Sequence, residues 1–451
     1  MRNFQGIKKT TVTAFRRTMI LLLCASSLCL SGCDGAKDIA RELGRRAARA
    51  EKSDDVTFPE ESVIHFENEI KVFDTTGELV DTKKPVISEA EAEDNAEQMS
   101  AKNLPLIKDE VIFDGGSSTY AYSKLSESAK RTYDEIRTIL EEYLDEVVLS
   151  TLDTDEIDLA FKAVMIDHPE IFYVKGYTLG KYLLNDELVK ISFTGSYTMT
   201  KEEAEPKKKL VDEYVERALM NAPISDDYEK IKYVYEYLVA NNSYDFSAPD
   251  NQNVLSVVQN GRTVCQGYAK MMQLMLSRLD IFCTLVNGIG ISDDFESPSA
   301  HVWNLVECNG EYYHVDVTWG DSAFSLSDSS GNELPEIDIN YEFMLVPDRL
   351  LEGTHEPKPV VELPPAVSMT DNYYVREGLY FSGVDDMKLR AAFDKAFSQG
   401  EKMLFLKTNN EMTLERLKEY LFDEQNVFEY TGQDNARFAI LEDRNLIMIT
   451  L

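Results

Sequence analysis

The stretch that most constrains the fold of this 451-residue chain is SAHVWNLVECNGEYYHVDVTWGD, Ser299 to Asp321. Two runs rich in β-branched and aromatic residues flank Asn309-Gly310, a pair that tolerates positive φ and so favours a two-residue hairpin turn. With those two residues as the turn, Cys308 faces Glu311 and the remaining pairs follow. Trp303 then lies opposite Asp316, and His301 opposite Thr318. Side chains alternate along a strand, so His301, Trp303 and Leu305 share a face with His314, Asp316 and Thr318. His301 and Asp316 become diagonal neighbours, about 7–8 Å apart at the backbone, a gap that longer side chains bridge. An imidazole–carboxylate pair is expected, the acid fixing the tautomer and leaving the other ring nitrogen to take a proton.

A thiol that such a pair could serve stands upstream, in GRTVCQGYAKMMQLML, Gly261 to Leu276. Ala269, Met272, Leu276 and Leu279 recur at helical spacing, as do Tyr268, Met271 and Met275, giving a helix with a broad apolar face. Gly261 and the polar Arg262-Thr263 break whatever precedes, so Cys265 falls at or near the helix N-terminus. Unpaired N–H groups and the macrodipole there favour a thiolate, and the same groups could hold an oxyanion. Gly267 is expected to leave room for a substrate. A lone cysteine is otherwise a small buried hydrophobe; the hairpin changes the weighting.

The remaining histidines offer one rival. His65 and His168 fall in a charged segment and before a proline at a helix end, and His355 lies near a proline-rich stretch. His314 shares the sheet face with Asp316 but sits nearer the turn, opposite Leu305. Cys283 and Cys308 flank core strands, and both a disulfide between them and two inert buried thiols are open. No C-x-x-C, H-x-x-x-H or D-x-D-x-D-G pattern occurs, so no metal and no cofactor is expected.

Along the chain, residues 1–33 join a basic head (Arg2, Lys8, Lys9, Arg16, Arg17) to an apolar run too short to span a bilayer, ending Leu30-Ser31-Gly32-Cys33. Residues 34–116 are charged with few aromatics and read as an acidic flexible tether, with one short helix near Ala36–Lys52. Residues 117–355 read as the main domain, with helices over 126–144, 153–168, 201–220 and 226–241, strands near 171–179 and 188–199, and a chemical core at 244–321. Ser322–Pro335 is loop-like, 356–366 (EPKPVVELPPA) a linker, and 367–451 a small α+β domain in which YYVREGLYF looks like a strand. The formal charge of −34 disfavours nucleic acid as a partner.

VCQGYA, HVWN and VDVTWGD, in that order, resemble the core of the transglutaminase-like superfamily, a papain-like group. The resemblance covers about Tyr244 to Asp321 and implies an α+β fold with a Cys–His–Asp triad: Cys265 the nucleophile, His301 the base and Asp316 the orienting acid. Tyr244, in NNSYDF, matches the family's side chain near the oxyanion site, and Trp303 and Trp319 are expected to wall the site. The implied chemistry is acyl transfer on an amide or peptide bond through a thioester, resolved by water or an amine. Residues 30–33 resemble the lipobox of bacterial lipoproteins. That resemblance implies lipid on Cys33, a membrane-anchored extracytoplasmic location and protein or peptide substrates in the cell envelope. The alternative is a catalytically silent lipoprotein that uses the same fold as a binding or scaffold module.

Overall fold

In the computed structural model, which describes residues 69–73, 119–184, 187–291, 298–321, 339–433 and 436–451, the elements follow from local signals in the sequence. Helix α1 (Glu127–Glu142) begins where the Ser126 hydroxyl accepts from Ala129 N–H, and α2 (Thr154–Asp167) where the Asp153 carboxylate accepts from Asp155 and Glu156 N–H. Between and after them run β2 (Val147–Val148), β3 (Val174–Leu184) and β4 (Glu187–Tyr197). These join β1 (Glu69–Phe73) in a sheet of order β1-β3-β4-β2. The segment read as a tether thus contributes a strand, parallel to Thr178–Tyr182. Phe161 of α2 packs edge-on against Tyr177 at 4.7 Å, fixing the helix to the sheet.

Helices α3 (Lys201–Leu219) and α4 (Asp227–Asn241) come next, capped by Thr200 and Asp226. A two-residue strand β5 (Ser243–Tyr244), the short helix α5 (Val254–Asn260) and β6 (Arg262–Thr263) then lead into α6 (Cys265–Ser277). The antiparallel sheet β10-β7-β8-β9 lies against α6, built from β7 (Cys283–Gly290), β8 (Ser299–Cys308), β9 (Glu311–Val315) and β10 (His355–Pro357). The principal core sits between them, with Tyr235, Tyr268, Met271, Met272, Met275, Val302 and Val306 all buried. Two amides tie α6 into place: Gln273 Nε2 donates to Ile166 O at 2.9 Å, and Asn304 Nδ2 to Ala269 O at 3.0 Å.

The first residues of the stretch read as a linker form the edge strand β10, where Pro357 pairs with Gly288. An edge strand accommodates proline because its missing N–H leaves no ladder bond unmade. Beyond it, YYVREGLYF is not one strand. Asn372 caps a single turn, Tyr373–Arg376, and only β11 (Tyr380–Phe381) is extended. Helices α7 (Asp386–Gln399) and α8 (Glu411–Lys418) cover a sheet of order β11-β12-β14-β13, with β12 (Met403–Thr408), β13 (Arg437–Leu441) and β14 (Leu446–Thr450). Leu389, Phe393, Leu406, Leu414, Ile447 and Ile449 form the core of this part.

Candidate active site

The thiol is set by a helix end unlike the others. Every other helix of seven or more residues among those described has a Ser, Thr, Asp or Asn N-cap whose side chain accepts from the first turn. The helix that begins at Cys265 has Val264 as N-cap, with no side-chain cap bond. No side chain therefore takes its first-turn N–H groups, although Gly267 N–H turns back to Val264 O at 3.0 Å, and the positive end of the macrodipole falls on Cys265. Thr263, two residues before, pairs in parallel register with Tyr244. This brings the Tyr244 ring beside the thiol, where Cys265 and Asp316 both act electrostatically on its hydroxyl.

The hairpin has the register its turn dictates: Cys308 pairs with Glu311, Leu305 with His314 and Asn304 with Val315. Asn309 and Gly310 take φ of 53° and 84°, left-handed values that this dipeptide adopts at little cost. Pairing stops there, so the expected extension through Asp316 and Thr318 is not formed. Val317–Gly320 closes into a single helical turn, with Asp316 as its cap and Oδ1 accepting from Trp319 N–H at 3.1 Å. The carboxylate reaches the imidazole by this turn and not along the ladder. His301 Nε2 donates to Asp316 Oδ2 at 2.6 Å, and the other side of the ring hydrogen-bonds Cys265. Cys265, His301 and Asp316 are thus brought together, all three buried.

The charges reinforce one another. Burial pushes the His301 imidazole down, but Asp316 beside it, followed by the Cys265 sulfur, raises it to about 10. Burial opposes ionisation of Asp316, yet His301 and His355 hold its carboxyl well below the usual range. Burial, Cys265 and Asp316 push the Tyr244 phenol well above its ordinary value, so it keeps its proton and can donate.

Trp303 stacks on the His301 ring and Trp319 lies tilted against it, both at 5.8 Å, so the two wall the ring. His314 does not compete for the site: its Nδ1 accepts from Trp303 Nε1 at 3.0 Å, and its Nε2 donates to Asp348 Oδ1 at 2.9 Å. His168 bonds Tyr133 and Glu170, neither of them a member of the triad. His65 and Cys33 lie outside the described residues. Cys283 and Cys308 are free buried thiols, and burial pushes both up. Gly267 serves packing, not substrate entry: a Cβ there would stand 1.8 Å from Thr263 Oγ1.

Two residues were not anticipated. Asp321, the last of VDVTWGD, accepts from Tyr244 N–H at 3.1 Å and from Tyr268 O–H at 2.7 Å, binding the strand before the thiol to the helix after it. His355 donates from Nε2 to Asp316 Oδ2 at 3.0 Å. Nothing in THEPKP signals this, because β10 reaches the site only by pairing with β7, His355 opposite Gly290. His301, Asp316 and His355 have polar atoms within 4.8 Å of one another, a spacing at which they could converge on a cation. Their N–H groups, however, already fill the space around Oδ2 with hydrogen bonds.

Residues 217–317 match the family model of the transglutaminase-like superfamily. Kyphoscoliosis peptidase of Homo sapiens is 25% identical over 121 residues, 24% of this chain and 18% of that protein. The chain thus spans under a fifth of that relative's length. Among solved structures, a TGase aligns with 14% identity and a TM-score of 0.23, covering 38% of this chain and 50% of that one. A candidate cysteine protease from Cytophaga hutchinsonii aligns with 11% identity and a TM-score of 0.23, covering 42% and 74%. The segment that supplies Cys265, His301 and Asp316 is thus the part of the chain that matches the transglutaminase-like superfamily model.

Proposed function

We propose that the chain is a membrane-anchored, extracytoplasmic cysteine enzyme that transfers acyl groups from amide or peptide bonds through a thioester. The observation that carries the reading is the His301 ring, bonded at Nε2 to Asp316 and on its other side to Cys265. A carboxylate accepts only, so Nε2 carries its proton and Nδ1 is left for the sulfur. In the reaction, Cys265 passes its S–H proton to His301 Nδ1 and the sulfur attacks the substrate carbonyl carbon; the C–N bond then breaks as Nδ1 gives that proton to the leaving amine. The acyl group remains as a thioester. Water or a second amine, losing its proton to Nδ1, then releases the acyl product and restores the sulfur. Tyr244 O–H and the uncapped N–H groups at the start of the Cys265–Ser277 helix would stabilise the oxyanion.

Anchoring rests on the lipobox-like Leu30–Cys33, outside the described residues; fatty-acid labelling should be lost in Cys33→Ser. No helix among the described residues is long and apolar enough to cross a membrane. The test of the chemistry is the pH dependence of Cys265 alkylation. A midpoint well below the free-thiol value of about 8.5 is expected. Cys265→Ala should abolish neutral-pH labelling, and His301→Ala should slow it. Equal labelling of wild type and His301→Ala would overturn the reading in favour of a silent binding module.

A further inference from the structure

His355 stands beside His301 on Asp316 Oδ2, on the edge strand β10. Its side chain is fully buried. Trp319, Trp303 and Phe343 surround the ring at 4.5, 4.9 and 5.2 Å. Its ring also lies 5.5 Å from that of His301, and its hydrogen bond to the triad is the one to Asp316 Oδ2 at 3.0 Å. That oxygen also receives His301 Nε2 at 2.6 Å. Since an ionised carboxylate offers no proton, both imidazoles must carry hydrogen on Nε2. At the far side of His355, Thr354 Oγ1 stands 2.9 Å from Nδ1 and 3.0 Å from Leu351 O. A hydroxyl has one proton, so Thr354 serves one of these acceptors at a time. When it serves Nδ1, His355 is a neutral ring with a fixed tautomer.

We propose that His355 is the positioning residue of the triad: a neutral imidazole, locked by Thr354 and by three aromatic rings, that pins Asp316 Oδ2 where His301 needs it. This rests on the catalytic reading above. Asp316 needs such a pin because Oδ1 alone, on Trp319 N–H, leaves the carboxylate free to rotate about that contact. A buried carboxylate that turned would leave the His301 ring without an orienting partner. Burial opposes protonation of His355, and the neighbouring His301 and His314 add to it against the pull of Asp316.

The groups whose charge bears on the thiol are His301, Asp316, His355 and Tyr244. Two arms test the assignment. In the full chain, His355→Leu should move the pH midpoint of Cys265 alkylation up towards the free-thiol value and cut the neutral-pH rate roughly tenfold to a hundredfold. His355→Gln, which can place an N–H at the Nε2 position, should recover most of both. A role in stability alone would lower Tm without moving the midpoint, and an unchanged midpoint in folded His355→Leu overturns the proposal. Failure of His355→Gln to recover a lost midpoint overturns it as well. The second arm needs no folded variant. Nitrogen-15 spectra of histidines in the wild-type chain should show His355 neutral and protonated at Nε2 from pH 6 to 9. A ring protonated at Nδ1, or at both nitrogens, overturns the proposal. If wild-type Cys265 labels only as a free thiol does, the catalytic reading fails, and the spectra still decide the placement of His355.

Discussion

At the scale of single residues, the site is a chain of groups that each fix the next. Asp316 fixes the tautomer of His301, which in turn faces the sulfur. The pH dependence of stability follows with a definite sign. The His301 imidazole is raised in the folded chain, so its contribution is complete below the unfolded value of about 6.5 and is lost as pH rises towards about 10. The Asp316 carboxyl is depressed, so its contribution is present above its unfolded value and is lost as pH falls through the folded one. The Tm advantage of wild type over His301→Gln should therefore shrink steadily from pH 6.5 to pH 10; a constant gap would show that the ring is not held protonated. Tyr244 calls for a different measurement. Tyr244→Phe removes one oxyanion donor while the helix N–H groups remain. Turnover should fall roughly a hundredfold with little change in KM.

At the scale of elements, the site depends on how closely the Cys265–Ser277 helix and the β5–β6 pair approach. Gly267 permits that approach, since its missing Cβ would collide with Thr263 Oγ1, which itself donates to Asn251 O at 2.8 Å. Gly267→Ala should cost about 1–3 kcal/mol by overpacking. Adding Thr263→Ala should recover part of it in chemical denaturation, and no recovery would place the strain elsewhere. Legibility in the sequence divides at this same scale. The hairpin register, the helix starts at Ser126 and Asp226, and the place of Cys265 at a helix start were all readable, because turn and capping chemistry is local. The fold class and the triad of Cys265, His301 and Asp316 came instead from the resemblance carried by VCQGYA, HVWN and VDVTWGD. The single turn after Val315 was not readable, because the apolar alternation of VDVTW continues past the residue where Asp316 caps itself and bends the chain. Nor was His355, whose strand joins the sheet across a long connection that carries no periodic signal. Gly267 was misread because a glycine marks close approach without naming the neighbour.

At the scale of the whole molecule, the C-terminal sheet is coupled to the site through one buried carboxylate. Glu342 accepts from Lys407 at 3.2 Å and from Arg444 at 3.0 Å, and its own N–H is held by Asn340 Oδ1. The next residue, Phe343, accepts the backbone N–H of Asp316 at 3.0 Å. Tyr235 O–H closes the circuit on Asn340 O and Asp316 O. Lys407 keeps 9% of its side chain exposed and Glu342 7%, so removing one partner strands a charge in the interior. Glu342→Ala should destabilise by about 3–5 kcal/mol. It should also slow Cys265 alkylation, because the support behind Asp316 loosens. Full stability in Glu342→Ala would show that the two parts are only neighbours.

Asp316 uses its two oxygens for different ends: one terminates a backbone turn, the other receives two imidazoles. An amide of the same shape has a single acceptor. Turned one way, asparagine would confront the Trp319 amide with NH2; turned the other, it would set NH2 against both rings. Position 316 therefore admits no silent isostere, and any chain of this design that keeps the bend keeps the charge with it.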